Sequence, residues 1–116
     1  MNTEVNFAGI EMKNPVTVAS GTFGYGREYS GFFDLGKLGA IITKGTSLKP
    51  KSGNKPPRVC ETASGMLNSI GLQNPGIEYF ANNDLPFLRK FDTKIIVNAC
   101  GSSVDEYVDL CKILND

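Results

Sequence analysis

Histidine is absent from this chain of 116 residues. Its absence removes the commonest general base of enzyme active sites. Cys60, Cys100 and Cys111 have no C-x-x-C spacing, and without histidine they argue against a metal site. An odd set of three cysteines fits free, passive and buried thiols in a reducing compartment. We therefore expect no bound metal and a cytoplasmic location.

An excess of one charge and long apolar runs are also missing. The 12 basic residues balance the 12 acidic ones, which argues against a surface for nucleic acid or acidic membranes. No apolar run approaches the roughly 20 residues that span a bilayer. Residues 1–4 have neither a basic region nor an apolar core, so we expect no secretory signal. This length allows at most one domain with a modest core.

Short apolar runs alternate with helical patterns along the chain. Residues 5–12 predict a small β-hairpin around Ala8 and Gly9. Three β-branched runs predict strands that are buried on both faces, at 16–19, 40–43 and 94–97. Helical patterns follow them at 29–38, 76–83 and 103–114. Repeated β-α units of this kind predict a parallel sheet with helices outside.

The helical patterns give specific expectations about which side chains face the core. In the first pattern, Phe32, Phe33 and Leu35 should turn inward. Pro86 should interrupt the second pattern, because proline cannot continue a helix without strain, and a second short helical piece with Phe87, Leu88 and Phe91 could follow it.

The last helix should open with a capping box formed by Ser103 and Glu106. Its apolar residues share one face, namely Val104, Tyr107, Val108, Cys111 and Leu114. The long segment 45–68 contains several prolines. A loop of that length is uncommon in a compact domain unless it has a function, and we expect a small hairpin at 58–66 within it.

Three β-α units fit both a doubly wound sheet and the start of a (β/α)₈ barrel. Ala19-Ser20, Lys44 and Asn98 all follow predicted strands, at the rim where barrel enzymes keep their chemistry. This favours the barrel, although open sheets also bind ligands at the carboxyl ends of their strands. Because a complete barrel needs about 250 residues, we expect the chain to be the N-terminal part of a larger enzyme.

The segment 68–76, Asn-Ser-Ile-Gly-Leu-Gln-Asn-Pro-Gly, is the candidate ligand loop. Its glycines permit close approach of the main chain, and its amides offer donors and acceptors without charge. Lys44 could neutralise a carboxylate or charge on a cofactor ring, or be a snorkelling lysine. Residues 19–21 could form a floor for a flat ring, or an ordinary turn. Asn98 could bind a ligand or cap a turn.

Four blocks of sequence resemble the class 1 dihydroorotate dehydrogenases, the flavin enzymes of pyrimidine biosynthesis. They occur in family order as NPVTVASGTFG at 14–24, GAIITKGT at 39–46, GNKPPR at 53–58 and GMLNSIGLQNPG at 65–76. The resemblance implies that residues 1–116 are the N-terminal portion of one FMN-binding TIM-barrel domain, an incomplete α/β (β/α)₈ barrel. The wording of the last block is similar to the NAD-linked subclass 1B, whereas fumarate-linked relatives tend to have Met and Pro in place of Ile70 and Gln73.

The resemblance also implies a site at the carboxyl rim of the barrel. The FMN-binding residues would be Ala19, Ser20, Gly21, Lys44, Gly45 and Asn98. The substrate-binding residues would be Lys44, Asn68, Ser69, Ile70, Gly71 and Leu72. The family oxidises (S)-dihydroorotate to orotate on the route to UMP, removing a proton from C5 and passing a hydride from C6 to FMN.

In subclass 1B the electrons pass to NAD through a partner subunit that carries FAD and an iron–sulfur cluster. The resemblance implies a homodimer of catalytic subunits within a heterotetramer, without nucleic acid or membrane. The family's catalytic base is a cysteine in an Asn-x-x-Cys-Pro-Asn loop after the fourth strand, which Cys60, Cys100 and Cys111 do not match. We therefore expect no catalytic residue in this chain, with the base beyond Asp116.

From the missing base we expect this polypeptide alone neither to turn over dihydroorotate nor to hold FMN tightly. Two alternatives stay open. One is a related FMN barrel that acts on another dihydropyrimidine, such as a domain like dihydropyrimidine dehydrogenase. The other is a non-catalytic fragment that folds through self-association, because incomplete β-α units expose sheet edges and apolar helix faces.

Overall fold

The computed structural model describes residues 2–115. The strands are β1 (Val5–Phe7), β2 (Ile10–Met12), β3 (Thr17–Val18), β4 (Ala40–Ile42), β5 (Val59–Thr62), β6 (Gly65–Asn68) and β7 (Lys94–Ile96). The α-helices are α1 (Ser20–Phe23), α2 (Ile77–Tyr79), α3 (Leu85–Leu88) and α4 (Val104–Asn115). None of the helices in this part of the chain is both long and apolar enough to cross a membrane.

A parallel three-stranded sheet lies at the centre of the fold. Its order is β3-β4-β7, with Val18 opposite Ile41 and Ile41 opposite Ile95. The prediction of a mixed α/β chain with a parallel sheet is confirmed. Burial on both faces holds only for the central strand, where Ala40 and Ile41 are fully buried. Among the described residues the flanking strands have one neighbour each, and they are only partly buried.

The hydrophobic core joins the sheet to the helices that cover it. Ile41 of β4 packs in one cluster with Phe80, Leu88 and Leu110, all of which have no exposed surface. Full burial of one such side chain contributes about 1.5–3 kcal/mol. The core therefore fixes the helices against the sheet and keeps the ends of the three strands in register.

Two hairpins flank the sheet. Strands β1 and β2 pair antiparallel around Ala8 and Gly9, which both have positive φ, the geometry of a tight hairpin turn. The side chain of Asn6 accepts a 2.9 Å hydrogen bond from the Gly9 N–H. Strands β5 and β6 also pair antiparallel, and all of their residues are exposed. This second hairpin delivers the chain to the candidate ligand loop.

The prediction of a helix at 29–38 is wrong. Two short 3₁₀ turns, Tyr29–Gly31 and Leu35–Lys37, replace it. The glycines at 31 and 36 disfavour a continuous helix. Asp34 caps the second turn, because its side chain accepts the Gly36 N–H at 2.8 Å. Leu35 is buried as expected, but Phe32 is 85% exposed and Phe33 is 38% exposed.

Pro86 does not interrupt the second helical segment, contrary to expectation, although the helical piece expected at Phe87 and Leu88 is present. The chain passes from α2 through a wide π turn, Phe80–Asp84, directly into α3. A wide turn tolerates proline because it relieves the contact between the ring and the preceding carbonyls. The side chains of Asn82 and Asn83 donate to the helix carbonyls of Glu78 and Tyr79 at 2.9 and 3.0 Å. The segment therefore remains helical from 77 to 88.

The last helix, α4, begins with the predicted cap. The Glu106 N–H donates to Ser103 Oγ at 3.2 Å, while the Glu106 carboxylate accepts the Ser102 N–H at 2.6 Å. Leu110 is the buried contact of this helix. Its predicted apolar face lies at the surface of this chain, where Val104 is 78% exposed and Tyr107 is 46% exposed.

The prediction that all three thiols are buried is wrong. Cys60 and Cys111 are exposed, because Cys60 lies on the solvent-facing hairpin β5–β6 and Cys111 on the open face of α4. Only Cys100 is partly buried. Within residues 2–115, no three His, Cys, Asp or Glu side chains are grouped so that they could hold a metal ion.

Candidate functional site

The carboxyl ends of β3, β4 and β7 meet at one edge of the parallel sheet. Ser20, Lys44 and Asn98 each lie two residues beyond the end of their strand. Beyond β4 and β7 the pairing continues, because the Thr46 N–H donates to the Asn98 carbonyl at 2.8 Å and the Cys100 N–H donates to the Thr46 carbonyl at 2.9 Å. Asn98 is therefore fixed beside the segment that carries Lys44.

Buried hydroxyl groups hold the backbone of Lys44. The hydroxyls of Thr43 and Thr46 both donate to the Lys44 carbonyl, at 3.2 and 2.9 Å, and Thr43 also accepts the Asn98 N–H at 3.3 Å. The hydroxyl of Tyr25 lies 2.9 Å from Thr46 Oγ1, and burial raises the pKa of Tyr25. Sequence reasoning missed this network. Threonines on both sides of Lys44 were the available signal.

A cleft of about 620 Å³ opens beside the end of β4, and Ser20, Gly21 and Lys44 all line it. The cleft is held together by the backbone, because the Lys44 N–H donates to the Gly24 carbonyl after α1 at 3.2 Å. Lys44 is half-buried. Within residues 2–115 no carboxylate forms a salt bridge with its ammonium group. The cleft thus places the Lys44 ammonium group near small residues at one side, and Phe23, Glu28 and Tyr29 also line it.

Gly45 is the point where the candidate ligand loop meets the sheet. A Cβ at this buried position would lie 2.8 Å from Cδ1 of Leu72 and 2.9 Å from Sγ of Cys100. The same Cβ would be 3.6 Å from Nδ2 of Asn98. A Cβ this close would push aside the ends of the Leu72 and Cys100 side chains, so the missing Cβ is what lets Leu72 pack in its present position beside the end of β4.

The first half of the loop is held largely through its backbone, and the side chain of Asn68 also accepts the Ile70 N–H at 3.4 Å. The Ser69 N–H donates to the Arg58 carbonyl at 2.8 Å, and the Ile70 carbonyl accepts the Asn54 N–H at 3.0 Å. The Asn54 side chain donates to the Ser69 carbonyl at 2.8 Å. The side chains of Asn68 and Ser69 are exposed, so they can contact a polar ligand.

The structure places the predicted site residues in three groups. Ser20, Gly21 and Lys44 share the first cleft, and Gly45, Leu72 and Asn98 are in contact. Asn68 and Ser69 line a separate depression of about 250 Å³ beside the hairpin β5–β6. The outermost members are Ala19, which is exposed at the start of α1, and Ile70 and Gly71, which lie on the loop between the last two groups.

Asn74 was part of the candidate ligand loop, yet the structure places it in the interior. It is 5% exposed, and its amide bonds to neighbouring backbone and to Ser47. The loop therefore divides into an exposed first half, 68–72, and a buried anchor at Asn74.

The parallel sheet, with Lys44 at its carboxyl edge, defines an α/β protein with a cleft beside that edge. The family model described as dihydroorotate dehydrogenase matches residues 2–116. The chain therefore belongs to the dihydroorotate dehydrogenase family.

Curated relatives carry the name dihydroorotate dehydrogenase B (NAD(+)), catalytic subunit. The protein from Lachnoclostridium phytofermentans is 60% identical over 116 residues, which are 100% of this chain and 39% of the relative. The protein from Caldicellulosiruptor bescii is 59% identical over 98% of this chain and 38% of its own length. The protein from Thermodesulfovibrio yellowstonii is 58% identical over 97% of this chain and 37% of its own. The chain thus spans less than two fifths of the length of these relatives.

Proposed function

We propose that residues 1–116 are the N-terminal portion of one (β/α)₈ barrel domain in an NAD-linked dihydroorotate dehydrogenase. The whole protein would oxidise (S)-dihydroorotate to orotate in pyrimidine biosynthesis. One observation carries this proposal. The predicted substrate loop packs through Leu72 onto Gly45, next to the half-buried cation of Lys44. The parallel order of β3, β4 and β7 agrees with consecutive units of a barrel.

The residues at the sheet edge fit a flavin such as FMN. Ala19, Ser20 and Gly21 present small side chains at the end of β3, so that a flat ring could approach the backbone. Gly45 has no side chain, which lets Leu72 and Cys100 pack close to its backbone. Lys44 and the exposed amide of Asn98 supply a cation and a hydrogen-bonding group at the same edge.

The side chains of this chain would bind and orient the reactants. Bound FMN would supply the acceptor for a hydride from the substrate. Lys44 would attract the substrate carboxylate and stabilise negative charge in the cleft, since a cation acts strongly in a site from which water is excluded. Asn68 and Ser69 would hydrogen-bond the polar edge of the ring. Ile70, Gly71 and Leu72 would close over it.

The names of the relatives support a partner in electron transfer. They describe a catalytic subunit that is linked to NAD(+), and such a name implies a further subunit. In our proposal that subunit carries FAD and an iron–sulfur cluster and passes electrons from FMN to NAD. Two catalytic subunits would pair within a heterotetramer.

Anaerobic flavin spectra of the full-length protein that contains this chain test the proposed function. Dihydroorotate should bleach the flavin absorbance, whereas dihydrouracil should not. The opposite selectivity would favour a related barrel that acts on another dihydropyrimidine. A flavin that neither compound bleaches would contradict the assignment as a dehydrogenase of this class.

Self-association of the 116-residue chain is a second candidate, and the open face of α4 favours it. Val104, Tyr107 and Val108 are between 46% and 78% exposed on one side of this helix, and exposed apolar patches often mark interaction sites. Sedimentation velocity over a range of concentrations would test it. Concentration-dependent dimers would support self-association, and a well-folded monomer would count against it.

A further inference from the structure

We infer that Asn74 is a positioning residue, which sets the substrate loop 68–72 against the end of β4 without touching the substrate. This inference rests on the proposed function. Asn74 follows the loop by two residues and is 5% exposed, and its partner Ser47 is 2% exposed. Ser47 comes three residues after Lys44. The pair therefore joins the substrate loop to the segment that carries the cation.

Five hydrogen-bond contacts surround the Asn74 amide, one of them between its Oδ1 and Ser47 Oγ at 3.1 Å. Its Oδ1 accepts the N–H groups of Ser47 and Gly76, both at 3.0 Å. Its Nδ2 donates to the Leu72 carbonyl at 2.8 Å and to Ser47 Oγ at 2.9 Å. The Ser47 hydroxyl in turn donates to the Lys49 carbonyl at 2.7 Å. No polar atom of this amide is left for a ligand.

The backbone of Asn74 is fixed as firmly as its side chain. It exchanges two hydrogen bonds with Lys51, at 2.9 and 3.0 Å. Leu72 has a positive φ of 55°, which a non-glycine residue adopts only when its surroundings enforce it. The bond from Asn74 Nδ2 to the Leu72 carbonyl is an enforcing contact of this kind. The same residue then packs on Gly45.

The arrangement requires a short side chain that both donates and accepts. Asparagine does both, whereas an ionised aspartate of the same shape only accepts. The substitution Asn74→Asp therefore keeps an acceptor for Ser47 and Gly76 but loses the donor to the Leu72 carbonyl. Loss of a buried hydrogen bond while its partner stays buried is costly. The loop should shift while the cleft around Ser20 is unaffected.

The test compares Asn74→Asp with Asn82→Asp in the full-length protein. Asn82 is exposed and also donates from Nδ2 to a backbone carbonyl, that of Glu78, at 2.9 Å. We expect Asn74→Asp to raise KM for dihydroorotate and Kd for orotate about tenfold or more. The kcat for flavin reduction should stay within about threefold and the FMN content should not change. Asn82→Asp should leave all four quantities unchanged.

An unchanged KM in Asn74→Asp would overturn the inference. A rise in KM that is accompanied by equally large falls in kcat and FMN content would also overturn it, because that pattern indicates general unfolding. If Asn74→Asp fails to fold, Ser47→Ala replaces it. This variant removes the contacts of the Ser47 hydroxyl with the Asn74 amide, and we expect about a threefold rise in KM at constant kcat. A KM equal to that of the wild type would again overturn the positioning role.

Hydrogen exchange separates this inference from the proposed function. Without ligand, amides of residues 69–76 should exchange faster in Asn74→Asp than in the wild type or Asn82→Asp. Faster exchange in a protein that dihydroorotate fails to bleach would contradict the proposed function but support the anchoring of the loop by Asn74. Unchanged exchange would overturn the inference itself.

Discussion

Gly71 offers a sharp test of how the substrate loop is built. Its φ is +78°, and a Cβ there would lie 2.8 Å from both Cγ and the backbone N of Asn54. Asn54 holds the loop through its hydrogen bonds to the Ile70 and Ser69 carbonyls. The change Gly71→Ala would therefore strain the backbone and also displace a residue on which the loop depends.

The size of the effect follows from these two costs. A left-handed conformation costs about 1–2 kcal/mol for a residue with a Cβ, and overpacking costs about 1–3 kcal/mol. The free energy of local opening of residues 69–72 should therefore fall by about 2–5 kcal/mol. Binding of orotate should weaken in the same variant, because the loop must be ordered before it can close on the ligand.

Two other glycines serve as matched controls. Gly9 has a φ of +89°, but a Cβ at this position would meet no neighbouring atom within 4 Å, so Gly9→Ala should show the strain alone, about 1–2 kcal/mol. Gly65 has an ordinary φ, and the nearest neighbour of its Cβ would be 3.9 Å away. Gly65→Ala should therefore be close to neutral.

Hydrogen exchange of the full-length protein measures these local free energies, and titration with orotate measures binding. We expect Gly71→Ala to lose more protection in its own loop than Gly9→Ala loses in the hairpin β1–β2. Equal losses in the two variants would show that the contact with Asn54 has no energetic effect. Wild-type exchange in residues 69–72 of Gly71→Ala would refute the reasoning altogether.

Two further predictions concern the supports of the site. Burial raises the pKa of Tyr25 above 10.0. The stability that the neutral hydroxyl contributes is therefore present below that pH and is lost as the pH rises through the pKa of the folded state. The Tm of Tyr25→Phe should accordingly depend less on pH than the wild-type Tm across this alkaline range. Asp84, 8% exposed, pairs with the half-exposed Arg27 at 3.2 Å, so Asp84→Asn should lower the free energy of urea unfolding by about 1–3 kcal/mol. The exposed pair of Asp109 and Lys112 is the control, and Asp109→Asn should cost under about 0.5 kcal/mol.

The sheet could be predicted because its signals are local. Runs of β-branched residues mark β4 and β7, and a polar residue directly after each run marks the edge where Lys44 and Asn98 lie. Parallel pairing then brings those ends together without further information. The family could be predicted for a similar reason, since the loop 68–76 has a distinctive amino-acid sequence.

The errors arose where a cap, an irregular turn or a buried contact overrides what the spacing of the residues predicts. The spacing of Phe32 fits a helix, but glycines and the Asp34 cap break it into turns. Pro86 was predicted to interrupt the helical segment, but a π turn accommodates it. Asn74 is a residue type that often contacts ligands, and only its hydrogen bonds to Ser47, 27 residues away, show that it stabilises the interior instead.

Titration of the full-length protein with orotate tests the location of the site most directly. The turn before β4 carries Lys37 and the chain after β4 carries Lys44, so Lys37→Met and Lys44→Met remove the same charge at opposite ends of one strand. We predict that Lys44→Met weakens orotate binding about tenfold or more, the usual cost of a lost charged hydrogen bond, while Lys37→Met binds like the wild type. Wild-type affinity in Lys44→Met, or an equal loss in both variants, would contradict a ligand site at the carboxyl edge of the sheet.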